Sequence, residues 1–320
     1  MTGIDTAAFR RRSVGENNWL ERVAGIGTPS EEALRLASLP VFDVNPDVLA
    51  SEDAVGQAML EELEAAAAAK TGDLVVVILG GRGAQALHRR LGERAGEGDR
   101  DGLIGRLRVF TQDALAPMRM DNSFSFVRDF ERLLGRDFFR LAKSFTSMRT
   151  DAADLEAELA GYVEQLEGAG GVDLCFLGHG PEPGGASHLA YIRPGSGATA
   201  NDVAGIIPIS SNLLEHHLTK FKAGGITPPP EDESECRRAT HILTIGPAVI
   251  LGSRRIVQSI VDADTAPAKK ISYRRVMEAE IASDADGRAR QLDENPGLWI
   301  RLHPNVKSLV LPNLLKQVES

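Results

Sequence analysis

Glycines and histidines follow an apolar segment in the middle of the chain. Residues 172–177 read Val-Asp-Leu-Cys-Phe-Leu, which predicts a buried strand, and Gly178, His179 and Gly180 come directly after it, with His188 further on. Glycine lets the backbone bend and a ligand approach, and imidazole exchanges protons near neutral pH. Open α/β sheets bind ligands at the carboxyl ends of their strands, so we predict a proton-transfer site here. The alternative is a glycine-rich connection with a structural histidine.

A second glycine-rich turn follows a β-branched run at residues 74–79. Gly80, Gly81, Arg82 and Gly83 separate this predicted buried strand from a predicted helix. Backbone N–H groups at such a turn, together with the helix dipole, form an anion site, and Arg82 would add a bidentate guanidinium. The segment is neither a P-loop nor a dinucleotide fingerprint, because the defining residues are missing. A purely structural turn is the alternative.

Asp113 follows the predicted strand at residues 107–110 and is a candidate general base if it is partly desolvated. A helix-cap or turn aspartate is the alternative. His216 and His217 lie in a predicted helix and are expected to face solvent or an interface. No set of His, Asp and Glu shows metal-ligand spacing, so we expect neither a metal nor another cofactor.

The composition of the 320 residues excludes several classes of protein. The net charge of −9 argues against a general nucleic-acid binder, which needs a basic face, but allows a small anionic ligand. No apolar run approaches the roughly 20 residues that span a bilayer, and no signal-peptide core is visible. The two cysteines imply no disulfide framework. We therefore expect a cytoplasmic protein that binds neither nucleic acid nor membrane.

Strand and helix patterns alternate along the chain, which predicts an α/β fold: an open, mostly parallel sheet with helices on both faces. Residues 1–40 are predicted to be an N-terminal extension of short helices, anchored by Trp19 and available as an interface, and residues 41–320 to form the α/β domain. Further expectations are strands at 41–44, 206–209, 241–245 and 308–311, one helix carrying Val249, Ile250, Ile256 and Val257, and a mobile loop at 228–235.

Several blocks, in order, resemble the glucosamine-6-phosphate deaminase and 6-phosphogluconolactonase family between about Val41 and Leu311. Leu79 to Gly83 corresponds to the family's glycine loop, and Val109 to Asp113 corresponds to its strand ending in Asp-Glu. Asp173 to Gly180, followed by Ser187 to Ala190 and by Pro194-Gly195-Ser196, corresponds to the family's signature. The other blocks that match in order are Asn122-Ser123-Phe124, Leu243 to Gly246, Ile250-Leu251 and Leu302-His303-Pro304.

The resemblance implies a Rossmann-like fold of the sugar-phosphate isomerase type, and a homo-oligomer. By position, it implies Asp113 as the base that takes the C2 proton and His188 as the residue that assists ring opening. It also implies that Lys220 and Ser196 contact a phosphate-bearing substrate. A small anionic molecule is therefore the expected partner.

The chain also departs from the family pattern. The family's Asp-Gly-His is Ala186-Ser187-His188, so the carboxylate that orients the histidine is missing, and Glu182 in an apparent insertion is the candidate replacement. The family glutamate five residues after the histidine is Arg193. The glycine loop has no hydroxyl residue, a family lysine falls on Thr240, and Ala114 follows the base in place of Glu.

These departures predict a diverged enzyme, because loss of an orienting carboxylate can cost about 10⁴ in rate. Arg82 and Arg193 would then form a rebuilt anion site for a sugar phosphate or a related small anion. Isomerisation or deamination by acid–base catalysis is the leading expectation. A lactonase-type hydrolase and a non-catalytic sugar-phosphate-binding protein are the alternatives.

Overall fold

The computed structural model describes residues 8–11 and 36–316. A seven-stranded parallel sheet forms the centre of the molecule, with strand order β2-β13-β12-β7-β3-β4-β6. Four further strands form an antiparallel sheet in the order β1-β10-β11-β5, and β8 pairs with β9. The strands are β1 (Ala8–Arg11), β2 (Pro46–Val48), β3 (Leu74–Ile78), β4 (Leu107–Thr111), β5 (Asp113–Ala116), β6 (Ser144–Thr146), β7 (Leu174–Leu177), β8 (Gly180–Pro181), β9 (Ser187–His188), β10 (Asp202–Pro208), β11 (His241–Ile245), β12 (Arg255–Ile260) and β13 (Val306–Val310).

Helices pack around the parallel sheet, as its hydrophobic pattern predicts. Ser51 caps the first of them, because its Oγ accepts a hydrogen bond of 3.1 Å from the Ala54 N–H. The helices are α1 (Glu52–Ala69), α2 (Gln85–Gly96), α3 (Phe126–Leu141), α4 (Leu155–Gly168), α5 (Ser211–Ala223), α6 (Pro230–Cys236), α7 (Pro247–Gly252), α8 (Ala268–Glu278), α9 (Ala285–Glu294) and α10 (Pro312–Leu315). No helix in the described part of the chain is both long and apolar enough to traverse a bilayer.

Both faces of the parallel sheet are buried, and β3 shows how. Its residues 74, 76 and 78 join one apolar cluster, whereas residues 75 and 77 join a second cluster on the other face. The first cluster includes the inner faces of α1, α2 and α3. The second includes α4, α7 and part of the antiparallel sheet. The predicted α/β architecture with a mostly parallel sheet is therefore confirmed.

The antiparallel sheet was not foreseen from the sequence. The predicted strands at 206–209 and 241–245 exist, as parts of β10 and β11, but they pair antiparallel with each other and with β5. β1 adds to the edge of β10, so residues 8–11 form a strand rather than a short helix. Trp19, the predicted anchor of the N-terminal extension, lies outside the described residues.

Three other local predictions were wrong. Residues 41–44 are not a strand, and the first strand of the parallel sheet is β2. Ile256 and Val257 lie in β12, near the middle of the parallel sheet, rather than in a helix. Residues 230–236 form helix α6, because Asp232 and Glu235 bind Arg119 and Cys236 is buried.

Two helical glycines provide a test of the packing. A Cβ at Gly56 of α1 would lie 2.5 Å from the Ala86 Cβ of α2, whereas a Cβ at Gly161 of α4 would meet nothing within 4 Å. Gly161→Ala should raise the free energy of unfolding by about 0.5–1 kcal/mol through helix propensity. Gly56→Ala should lower it by about 1–3 kcal/mol through overpacking. Urea denaturation of both variants checks this, and equal effects would contradict the close α1–α2 packing.

Candidate functional site

The candidate site is a partly open cavity at the carboxyl ends of β3, β7 and β12. The glycine turn after β3, the Gly178–Gly180 turn after β7 and the segment after β12 all contribute to its wall. Asp113 and His188, the two predicted acid–base residues, both line it together with Lys220. The structure therefore brings together three separate segments in which the sequence analysis predicted catalytic or binding residues.

Asp113 lies where the chain passes from one sheet to the other. The preceding residue, Gln112, donates its backbone N–H to the Ile78 oxygen of the parallel sheet at 3.0 Å and accepts from the Ile245 N–H of the antiparallel sheet at 3.0 Å. This fixes Asp113 as the first residue of β5, with its side chain 4 % exposed. The Gln112 side-chain amide donates to Oδ2, whereas Oδ1 is buried and has no partner among the described residues.

Burial makes the Asp113 carboxylate bind a proton more tightly than an exposed carboxylate does. Burial raises the pKa of Asp113 to about 6, although the Lys220 ammonium and the Gln112 amide oppose this shift. The group is therefore largely ionised at neutral pH and still more basic than an exposed aspartate.

His188 is oriented by Glu182. The imidazole Nδ1 lies 2.7 Å from Glu182 Oε1, and Asn212 Nδ2 donates to the other carboxylate oxygen at 3.2 Å. The imidazole and the carboxylate are both about 5 % exposed. Because Nδ1–H donates to the carboxylate, Nε2 carries the lone pair in the neutral ring. A Cβ at Gly180 would lie 1.7 Å from Nε2, so only glycine admits the ring here.

Backbone contacts hold the segment that delivers Glu182. The Glu182 N–H donates to the Ala186 oxygen at 2.8 Å, which closes the segment on itself, and Arg275 of α8 donates to the Gly184 oxygen at 2.6 Å. Ser187 is fixed by Asn295, whose Oδ1 accepts from the Ser187 N–H at 2.9 Å and from its Oγ at 2.6 Å. This segment, the apparent insertion of the sequence analysis, therefore places the Glu182 carboxylate against the His188 imidazole.

A strained turn positions Tyr191 beside the imidazole. Ala190 and Tyr191 have φ angles of 50° and 59°, a left-handed conformation that non-glycine residues rarely adopt. The turn is closed by Ile192 N–H donating to the Leu189 oxygen at 2.8 Å. It holds the Tyr191 ring 5.1 Å from the His188 ring, edge to face.

Lys220 joins the cavity to a buried hydrogen-bond chain. Its Nζ donates to the Tyr191 hydroxyl at 3.0 Å, and that hydroxyl donates in turn to His217 Nδ1 at 2.9 Å. His217 Nε2 donates to the Phe124 oxygen at 2.9 Å. Burial lowers the pKa of Lys220 to about 8, although Asp113 and Asp262 oppose the shift. The lysine is therefore mostly cationic at neutral pH.

The glycine turn presents free donors beside Lys220. The backbone N–H groups of Gly81, Arg82 and Gly83 donate to no acceptor among the described residues. Gly81 has a φ of 79°, and a Cβ there would lie 2.9 Å from Lys220 Cε and 3.3 Å from its Nζ. Gly80 and Gly83 line the cavity. Backbone N–H groups beside an ammonium are typical of an anion-binding site, so this turn remains a candidate.

Arg82 does not line this cavity, which corrects its predicted role as an anion clamp. Its guanidinium donates to Glu52 Oε1 at 2.7 and 3.2 Å, and to Asp264 and Thr265 at 3.4 and 3.1 Å. These contacts tie the glycine turn to the start of α1 and to the segment after β12.

A buried ion pair, Asp262 with Lys269, lies on the same wall. Lys269 Nζ donates to both carboxylate oxygens, at 2.6 and 2.8 Å, and each side chain is about 6 % exposed. Burial opposes ionisation, but the Lys269 ammonium holds the pKa of Asp262 below its usual value.

His179 lies nearby, with Nε2 2.8 Å from Ser272 Oγ and Nδ1 buried without a partner among the described residues. Burial lowers the pKa of His179 to about 3, so the ring is neutral.

Solved structures share this fold. The chain superimposes on a monomeric glucosamine-6-phosphate deaminase with a TM-score of 0.60, at 18% identity, over 85% of this chain and 98% of that one. The 6-phosphogluconolactonase from Leishmania guyanensis gives a TM-score of 0.58, at 14% identity, over 87% of this chain and 100% of that one. The enzyme of the same name from Thermotoga maritima gives 0.57, at 14% identity, over 84% and 99%.

Two glucosamine-6-phosphate deaminases are similar to part of this chain in sequence. A glucosamine-6-phosphate deaminase from Bacillus pumilus is 27% identical over 147 residues, which is 46% of this chain and 52% of that protein. Glucosamine-6-phosphate deaminase 2 from Mus musculus is 28% identical over 116 residues, 36% of each chain. Over these segments the chain is similar to the two deaminases, and it shares the fold of the solved deaminase and lactonases. It matches no family model, and it spans about half, or less, of the length of these two relatives.

Within the deaminase–lactonase fold, the other predicted site residues lie elsewhere. Arg193 donates to the backbone oxygens of Pro208 at 2.8 Å and Pro194 at 3.0 Å, and it does not line the cavity. Ser196 is buried outside the cavity, and its Oγ has no partner among the described residues. The rebuilt anion site predicted from the two arginines is therefore not present in this form.

Other residues of the cavity escaped sequence reasoning. His217 was expected to face solvent or an interface but is fully buried, and His216 lines the cavity with its ring 5.8 Å from that of His188. Asp262 and Lys269 were missed because β12 was read as helix. Tyr191 had a usable signal, since it follows the histidine within the family-like block. Asp262 also follows an apolar run, as Asp113 does.

The Glu182–His188 contact can be tested by substitution. Burial lowers the pKa of His188, and the Glu182 carboxylate opposes this by stabilising the imidazolium. Glu182→Gln removes the opposing charge at similar size, so the pKa of His188 should fall further. An NMR titration of the ring protons checks this, with His303, which lies outside the cavity, as an internal control. An unchanged His188 titration would contradict the contact.

Proposed function

We propose that this protein is an enzyme that catalyses proton transfer on a small sugar-derived anion, as in aldose–ketose isomerisation or the deamination of an amino sugar. The supporting observation is that Asp113, with a buried and unpartnered Oδ1, shares one cavity with an imidazole held by Glu182. The fold shared with deaminases and lactonases that act on phosphorylated sugars is consistent with such a substrate.

His188 opens the sugar ring in this proposal. Its Nε2 lone pair takes the proton from the anomeric hydroxyl, and the bond between C1 and the ring oxygen breaks as the C1 carbonyl forms. The imidazolium then returns the proton to the departing ring oxygen. The Glu182 carboxylate stabilises the transient positive charge.

Asp113 then acts as the carbon base. Its carboxylate removes the proton at C2 of the open-chain aldehyde to give an enolate, and the carboxylic acid returns that proton to C1 while the proton on the C2 oxygen or nitrogen passes to O1. The product is the ketose from an aldose, or, from an amino sugar, a C2 imine that water hydrolyses to the ketose with release of ammonia. A base of raised pKa is suited to this step because a carbon acid is weak. Lys220 and the N–H groups of the glycine turn hold the anionic group of the substrate in place.

Lactone hydrolysis is the second candidate, and the neutral Nε2 of His188 supports it. The imidazole would take a proton from water as the water attacks the lactone carbonyl, and the proton would pass to the ester oxygen as the C–O bond breaks. Asp113 has no required role in that reaction. The two reactions therefore differ in their dependence on Asp113.

Asp113→Asn tests the assignment. We expect isomerase or deaminase turnover to fall by at least about 10²-fold, the usual worth of a general base, with ligand binding retained. Turnover is measured on a panel of aldoses, amino sugars and lactones that carry a phosphate or a carboxylate, with binding followed by calorimetry. The matched control is Asp137→Asn, an exposed aspartate of α3 that does not line the cavity. Hydrolysis that survives Asp113→Asn would favour the lactonase, and binding without any turnover in wild type would favour a binding protein.

The pH dependence provides a separate test. Asp113 is active when deprotonated, so kcat/KM should rise with pH through about 6. Lys220 binds the anion when protonated, so kcat/KM should fall as pH passes about 8. In Lys220→Met the fall near pH 8 should disappear, and the rise should move above pH 6, because the Lys220 ammonium no longer lowers the pKa of Asp113. A rise centred near pH 4 would contradict a base whose pKa is raised by burial.

A further inference from the structure

The two lysines of the cavity wall, within the described residues, are held in different ways. Lys269 donates to both oxygens of Asp262, whereas Lys220 forms no ion pair with a described carboxylate. The Lys220 Nζ instead donates to the Tyr191 hydroxyl at 3.0 Å. It also lies 4.8 Å from the centre of the Phe126 ring and 5.0 Å from that of the Tyr191 ring. A hydroxyl oxygen and ring faces stabilise a cation without cancelling its charge, so the ammonium remains able to bind an anion.

The hydrogen bonds behind Tyr191 can run in one direction only. His217 Nε2 lies 2.9 Å from the Phe124 backbone oxygen, which can only accept, so Nε2 carries a proton. Burial lowers the pKa of His217 to about 3, so the ring is neutral and Nδ1 has a lone pair. The Tyr191 hydroxyl must then donate to Nδ1, at 2.9 Å, and its oxygen is left to accept from Lys220. His217 thus makes the hydroxyl an acceptor towards the lysine.

Two glycines of the turn after β3 leave the space for this arrangement. A Cβ at Gly80 would overlap the Phe126 ring, and a Cβ at Gly81 would lie 2.9 Å from Lys220 Cε. Gly81 also has a φ of 79°, which favours glycine. The ring and the stem of the lysine are therefore packed directly against the backbone of the turn, and this packing limits the rotamers that Lys220 can adopt.

The backbone that carries Tyr191 is strained. Ala190 and Tyr191 both have positive φ angles, of 50° and 59°, and such strain persists only where surrounding contacts outweigh it. The Tyr191 hydroxyl supplies two of those contacts, one to His217 and one to Lys220. Strained residues cluster at functional sites, so a strained tyrosine that contacts a lysine of the cavity indicates a role in the site.

The ionisable groups around Lys220 come from several elements. Carboxylates favour its charged form and a second ammonium opposes it; these groups are Asp113, Asp262 and Asp129, and Lys269. Burial lowers the pKa of the neighbouring histidines, so they are neutral at pH 8; they are His188, His216 and His217. A change at Tyr191 alone leaves all of these groups in place, so its effect on the titration of Lys220 reports the hydroxyl.

We propose that Tyr191 and His217 are positioning residues for Lys220. The His217 imidazole directs the Tyr191 oxygen towards the ammonium, and this contact holds the ammonium, still charged, at the place where it binds the anionic group of the substrate. The anion-binding part rests on the proposed function, whereas the effect of Tyr191 and His217 on Lys220 does not.

Tyr191→Phe tests the hydroxyl and keeps the ring. Without the oxygen that stabilises the ammonium, the pKa of Lys220 should fall below its value of about 8. The Cε resonance of Lys220, assigned by its loss in Lys220→Met, is followed by NMR through a pH titration without ligand. The matched control is Tyr273→Phe, which removes a buried hydroxyl that contacts Ser308 outside the cavity and should leave the titration unchanged.

Two substitutions of His217 separate positioning from packing. His217→Asn places an amide oxygen near the position of Nδ1, so Tyr191 keeps its acceptor and Lys220 should titrate as in wild type. His217→Leu fills the space but accepts no hydrogen bond, so the pKa of Lys220 should fall towards its value in Tyr191→Phe. Equal titrations of Lys220 in the two His217 variants would overturn the role of His217. If His217→Leu does not fold, Tyr191→Phe still tests the contact.

The kinetic test uses the best substrate from the panel that tests Asp113. Tyr191→Phe should raise KM about tenfold and change kcat by less than about threefold, because a misplaced ammonium weakens the ground state and the transition state alike. The fall of kcat/KM near pH 8 should also move to lower pH. An unchanged Lys220 pKa in Tyr191→Phe, or a loss confined to kcat, would overturn the proposal. No turnover in wild type would contradict the proposed function, and the titration without ligand would still decide whether Tyr191 and His217 act on Lys220.

Discussion

The hydrogen bond between Glu182 and His188 is the interaction on which the candidate site depends. A buried imidazole without a partner can rotate, and it resists protonation because its environment is apolar. Glu182 fixes the ring through Nδ1, leaves Nε2 as the reactive nitrogen and stabilises the imidazolium when it forms. The carboxylate comes from the short segment between β8 and β9, which brings Glu182 to the imidazole.

The junction between the two sheets is the second constraint. Gln112 bonds to β3 through its N–H and to β11 through its oxygen, so the chain crosses between the sheets within one residue. Asp113 therefore belongs to the antiparallel sheet, while the glycine turn and His188 follow strands of the parallel sheet. The proposed base lies in the antiparallel sheet and the proposed ring-opening residue in the β8–β9 pair, so their separation depends on how these elements pack.

The sequence predicted well the parts of the fold that local pattern determines. Helix α1, with Ser51 as its cap, and the β-branched strand β3 were confirmed because propensity, capping and burial agree there. β12 was missed because Ile256 and Val257 were assigned to the same helix as Val249 and Ile250, although Gly252 to Arg255 separate the two apolar segments. The antiparallel sheet could not be predicted, because alternation within one strand carries no information about the direction of its partner.

The candidate site was predictable to a similar extent. Asp113, His188, Glu182 and Lys220 were named from the sequence, and the structure brings them to one cavity or into contact with it. Arg82 was misjudged because its partner Glu52 lies 30 residues earlier, where no motif marks it. Asp262 and Lys269 depend on β12, so the error in that strand concealed them.

The bracing of the glycine turn by Arg82 has a consequence for how the protein chooses ligands. With the guanidinium bound to Glu52 at the start of α1 and to Asp264 after β12, the turn that we propose binds an anion is held by contacts within the protein itself. Little ordering entropy remains to be lost on association. A site that is already formed accepts only ligands that fit its shape. We therefore expect it to bind a narrow range of small molecules.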